Sequence, residues 1–113
     1  MAETAGQLGQ LRPADTTAAS LYSPAASVSA RLTRMTVCNN TGGAVTCRIF
    51  LDDDGSTYDE DSAIYYDKSV PANDTLPVEE IRGVYMNNSA GNLAVRSATG
   101  DALNFMVWGI ELS

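Results

Sequence analysis

The sequence predicts an all-β protein, an antiparallel β-sandwich or jelly-roll-like domain preceded by an extended N-terminal arm. Three observations predict it. Turn-forming clusters such as NNTGG, DDDGS and NNSAGN recur at short intervals along the chain. The stretches between them are rich in β-branched and aromatic residues, and several alternate apolar and polar side chains with a period of two. No segment reads as a helix, and such spacing of short strands and turns suits a sandwich or jelly roll.

Residues 1–29 are rich in Ala, Ser, Thr and Gly, with isolated apolar side chains at Leu8, Leu11, Leu21 and Tyr22. Such a stretch has little to bury by itself. It reads as an extended arm carrying one short strand around residues 18–22, closed by Pro24, and before Thr16 a loose tail is the alternative. The domain proper spans residues 30–113. Its first strand, residues 31–39, places Met35 and Val37 on one face. After the NNTGG turn, Val45, Cys47, Ile49 and Leu51 follow at strict period two, so the two runs are expected to form a hairpin. Short β segments are expected at residues 63–66, 76–81, 84–86 and 93–97. A final long strand covers residues 102–112, with Leu103, Phe105, Val107 and Gly109 on one face and Met106, Trp108 and Ile110 on the other. A strand apolar on both faces is either central or covered by a neighbouring chain.

The 113 residues make one domain, long enough to build a core without staples. No apolar run approaches the ~20 residues of a membrane span, and the start MAETAGQLGQLRP lacks the pattern of a secretory signal. Folding in a cytoplasm is the expectation. Seven basic against fourteen acidic side chains give a formal charge of −7, which disfavours nucleic acid and anionic membranes as partners. It suits a basic protein surface or cations.

Histidine is absent, which removes Ser-His-Asp and Cys-His catalysis and any imidazole zinc site. The chain is therefore read as no enzyme, with no cofactor. Pairing the apolar faces of the expected hairpin sets Val37 against Cys47 and Met35 against Ile49, which leaves Cys38 and Cys47 on opposite faces as two reduced thiols. A two-residue Gly42-Gly43 turn would instead bring the cysteines together. The acidic run Asp52-Asp53-Asp54-Gly55, with Asp59, Glu60 and Asp61 behind it, has the look of a calcium loop, with Asp52, Asp54 and Asp61 as ligands. Phe50 stands where such a loop needs its first carboxylate, and a solvated acidic tip is the simpler reading. The same carboxylates could be a glycosidase pair, but short turns build no substrate cleft. Trp108 and the five tyrosines offer an interface or sugar platform as well as packing material. The sequons at Asn39, Asn73 and Asn87 sit in turns.

The segments GQLRPADTTAASLYSP, LTRMTVCNNTGGAVTCRIFLDDDGSTYDEDSAIYYDKSVPAND, AGNLAVRS and FMVWGIEL together resemble small virion proteins of tailed double-stranded DNA bacteriophages. The likeness runs from Gln7 to the C-terminus. It implies a capsid decoration (cement) protein: a β-sandwich without catalytic residues, often trimeric, seated on the major capsid protein and stabilising the shell. The virion surface is then the location, after assembly in the host cytoplasm. A tail- or fibre-associated module that recognises host-surface glycan is the alternative, and a small calcium-binding or carboxylate-based enzyme is a third. An arm of about thirty residues could reach ~90 Å and add a strand to a neighbour's sheet, with avidity over many copies. The interface candidates are Leu8, Leu11, Leu21, Tyr22 and Trp108.

Overall fold

A computed structural model describes residues 2–113 and contains nine strands. They are β1 (Glu3–Leu11), β2 (Ala19–Tyr22), β3 (Ser29–Asn39), β4 (Val45–Asp52), β5 (Ala63–Val70), β6 (Asp74–Pro77), β7 (Tyr85–Met86), β8 (Asn92–Ser97) and β9 (Leu103–Leu112). Two antiparallel sheets pack face to face. The front sheet has the order β1-β9-β3-β6, with β7 also paired to β3, and the back sheet has the order β2-β8-β4-β5. Successive strands mostly switch sheets, which is the connectivity of a jelly roll. The all-β sandwich expected from the sequence is the fold observed.

The core lies between the sheets and follows from alternation. Leu32, Met35 and Val37 of β3 and Leu103, Phe105 and Val107 of β9 point back from the front sheet. Cys47 and Ile49 of β4 and Leu93 and Val95 of β8 meet them from the back sheet, all essentially without solvent exposure. Tyr22 ties the layers at one end, its hydroxyl donating to Glu111 Oε2 at 2.7 Å. Burial, and then the neighbouring carboxylate, raise its phenol well above the ordinary range.

Three expectations need correction. First, β3 and β4 are not a hairpin: β3 pairs with β9, β6 and β7, whereas β4 pairs with β5 and β8. The NNTGG segment is a corner between sheets. Alternation places Met35, Val37, Cys47 and Ile49 inward whether two strands share a sheet or face each other across the core, so the pattern is the same in both cases.

Second, the first 29 residues are no free arm. β1 pairs along β9 from Glu3↔Leu112 to Leu11↔Phe105. The connection to β2 is sewn down, since Asp101 N–H donates to Pro13 O at 2.8 Å and Arg96 Nε to Thr16 O at 2.9 Å. Arg12 reaches Asn40 Oδ1 at 2.9 Å and also Asp101 O. Third, the strand expected over residues 76–81 stops at Pro77, and a single 3₁₀ turn, Glu79–Ile81, follows. It lets the chain step past the middle of β3 before β7 rejoins it.

The thiols are free, as expected. Cys38 lies half-exposed on the outer side of the front sheet and Cys47 is fully buried. Burial pushes the Cys47 thiol up to about 11. A thiol-reactive dye should therefore label one cysteine per native chain at neutral pH and two in denaturant, and mass mapping should find the native label on Cys38. Because the folded pKa of Cys47 lies above its ordinary value of 9.0, its contribution to stability is complete below pH 9 and is lost as pH rises through about 11. Urea midpoints measured from pH 8 to 11 should fall across that window, and a Cys47→Ala chain should lose that part of the slope.

Candidate interaction face

The front sheet turns a broad outer face to solvent. Along its central strand β9, Met106, Trp108 and Ile110 stand in a row, each half-buried. The ladder sets Gln10, Gln7 and Ala5 of β1 beside them on one flank. Thr36, Arg34 and Arg31 of β3 lie beside them on the other. The Arg34 guanidinium lies 5.3 Å from the centre of the Trp108 ring, a cation–π distance. Among the described residues, ion pairs form at Arg48–Asp67 and Arg82–Glu79, and neither Arg31 nor Arg34 takes part in one. Two recesses border the face. One of about 180 Å³ is lined by Arg34, Pro77, Glu79 and Arg82 among others. The second, of about 140 Å³, lies between Glu3, Arg31, Ile110 and Leu112.

The back sheet treats its outer face differently. Phe50 and Ala94 point away from the main core yet are almost fully buried. The β4–β5 loop folds over them, and Tyr58 stacks on Phe50 with ring centres 6.0 Å apart. Further along this face, Arg48 is paired with Asp67 at 2.7 Å and lies over the Tyr66 ring at 3.9 Å. One outer face is therefore roofed and charge-paired, and the other carries an apolar row with two unpaired arginines on an acidic protein.

The acidic loop organises itself. Asp52, Asp53 and Asp54 bring carboxylate oxygens within 4.8 Å of one another, whereas Asp61 is not part of that group. The Asp52 carboxylate accepts the backbone N–H of Thr57 at 2.9 Å and that of Asp54 at 3.3 Å. Those amide donors hold Asp52 below the usual carboxylate range, while hydrogen bonding to Asp52 and its charge hold Asp54 above it. Asp61 belongs to a second turn, where its N–H donates to Asp59 Oδ1 at 2.9 Å. The three candidate calcium ligands are thus split between two turns, each closed by backbone N–H groups donating to an Asp carboxylate.

Of the five interface candidates, four serve the chain's own core. Leu21 and Tyr22 are buried and Leu8 and Leu11 pack half-buried against the same cluster. Isolated apolar residues in a polar stretch suit anchoring in a partner and anchoring in one's own sandwich equally well, and here the sandwich takes them. Trp108 remains, on the open face. Arg31 and Arg34 were not singled out from the sequence. Strict alternation could not have found both, since Arg34 stands two residues from inward Leu32 and Arg31 four from inward Met35. The irregularity between Leu32 and Arg34 is what brings both arginines to the outer face.

The chain matches no family model and no curated protein.

Proposed function

We propose that the chain is a non-catalytic virion component, a decoration protein that lies on the major capsid protein through the outer face of its front sheet. The observation that carries the reading is the contrast between the two outer faces. Burying an aromatic, a methionine and an isoleucine in a partner removes apolar surface from water, and Trp with flanking Arg is the composition of contact hot spots. Unpaired Arg31 and Arg34 would meet carboxylates on the shell. A jelly roll is compatible, being an architecture used in viral capsid and lectin domains, although fold alone assigns no function. The resemblance to phage virion proteins points the same way.

A tail-associated glycan binder is the second reading, favoured by the exposed ring of Tyr85, whereas Arg48 already lies over the ring of exposed Tyr66. It is the weaker one at Trp108, because Arg34 already covers a ring face on which a sugar would stack.

Co-sedimentation with capsids stripped of the protein tests the choice. Wild-type protein should saturate at a fixed ratio per capsid subunit. Trp108→Ala should bind at least about tenfold more weakly, the loss of a modest hot spot, with its fold checked by circular dichroism. Failure of the wild-type chain to bind, with only a few copies found per virion, would replace the decoration role with the tail role.

A further inference from the structure

The sandwich has four edge regions, and three are guarded. β2 is four residues long. β6 and β7 are short and separated by the 3₁₀ turn. β5 carries charged Asp67 and Lys68 and two irregularities in its register with β4. Short strands, charges and bulges are the devices that stop sheet edges from pairing with other chains. β1 is different. Residues Glu3–Gln7 are exposed on both faces, contain no Lys or Pro, and end at a bulge between Gln7 and Gly9. Past the bulge the inner face of the strand lies against β2, since a Cβ on Gly9 would sit 2.5 Å from Leu21 O.

The free hydrogen-bonding groups of this edge can be identified. Ala2 and Ser113 exchange both backbone hydrogen bonds, at 2.9 and 3.0 Å. In an antiparallel ladder such pairs recur at every second residue, so Thr4↔Glu111 and Gly6↔Gly109 are the next two. The intervening residues Glu3, Ala5 and Gln7 therefore aim their N–H and C=O groups away from β9, into solvent. This pattern is self-complementary about Ala5. Two such edges placed antiparallel match Ala5 with Ala5 and Glu3 with Gln7, so a small residue sits on the axis and each carboxylate faces an amide. Centring the pair on Glu3 would set two carboxylates together, and centring it on Gln7 would run into the bulge.

We propose that β1 is a self-association edge, pairing with β1 of a second copy about a two-fold axis through Ala5. The contact makes about six backbone hydrogen bonds and joins two front sheets into one, with the Trp108 rows on the same side. It is two-fold, and so differs from the three-fold seating that the resemblance implies. The inference rests on the edge alone and stands or falls without any capsid.

Sedimentation equilibrium of the purified full chain at high micromolar concentration tests it. The wild-type chain should approach twice its 12.0 kDa mass. Ala5→Lys and Ala5→Glu each set like charges on the axis and should weaken self-association at least about tenfold. Both side chains point to solvent, and circular dichroism should show both variants folded. Mixed in equal amounts, the two variants should recover a dimer, because only the mixed pair places opposite charges on the axis. A wild-type chain that is monomeric or trimeric would overturn the proposal, as would a dimer unmoved by either substitution or variants that fail to re-pair when mixed.

Discussion

Gly109→Ala should lower the melting temperature by about 10–15 °C, a loss of about 3 kcal/mol for overpacking in a domain of this size. Gly109 sits mid-sheet between two irregularities: β1 slips register between Gln7 and Gly9, and β3 slips between Leu32 and Arg34. A Cβ at Gly109 would run into the carbonyl oxygen of Arg31 and lie 2.9 Å from Leu8 Cδ1. The leucine side chain can move aside. The Arg31 carbonyl belongs to the backbone of a central strand, and shifting it disturbs the β3–β9 ladder. Gly6 provides the control, because it lies directly opposite Gly109 on β1 and a Cβ there would meet nothing within 4 Å. Gly6→Ala should stay within about 0.5 kcal/mol of the parent. Thermal melts followed by Trp108 fluorescence compare the two. Equal melting temperatures would show that the front sheet absorbs the methyl group and that the close approach is unimportant.

Asn39→Ala should cost about 2–4 kcal/mol, read as a shift of the urea midpoint at constant slope. Asn39 has no solvent exposure, and its side chain does four jobs at the corner between β3 and β4. Its Nδ2 donates to Gly43 O at 2.8 Å and to Val70 O at 3.0 Å. Its Oδ1 accepts the Thr41 N–H at 2.9 Å and the Thr41 hydroxyl at 2.7 Å. One amide thus closes the corner and clamps it to the end of β5 in the other sheet. Alanine would leave the Val70 carbonyl without this partner in a buried place. Asn39→Asp should be at least as damaging, because a carboxylate oxygen would replace the donor facing two carbonyls. Neighbouring Asn40 supplies the contrast, since its one side-chain partner among the described residues is Arg12 at an exposed site, and Asn40→Ala should cost less than about 1 kcal/mol. If Asn39→Ala matched Asn40→Ala, the corner would be held by its backbone alone. The same geometry bears on the sequon at Asn39: both N–H bonds of the amide are engaged and buried, so the folded chain offers no group there for a glycan.

The roofed and open faces divide what was legible in the sequence from what was not. Met106, Trp108 and Ile110 alternate with Phe105, Val107 and Gly109, so a strand with two apolar faces could be read directly, together with its consequence that it be central or covered. β9 is central, and its outer row remains partly open to solvent. Phe50 was equally visible as an apolar residue out of phase with Ile49 and Leu51. Its roof was not, because Tyr58 arrives from a loop whose path depends on where Asp52 and the turn behind it point. Asp61 was grouped with Asp52 and Asp54 on spacing in the chain, and the chain folds them into separate turns.

Local chemistry determined the rest of what could be read. Period-two alternation and turn residues specified the strands other than β1 and β6, the inward side chains, the reduced thiols and the all-β class, because each depends on neighbours within a few positions. Sheet membership was decided only by the tertiary structure. An alternating strand buries one face equally well beside its neighbour or across from it, so the sequence of β3 and β4 is consistent with a hairpin and with a corner. The N-terminal residues show the same limit. Leu8 and Leu11 have too little apolar surface to specify a partner locally, and it is the ladder along β9, from the far end of the chain, that makes their segment a strand of the sandwich.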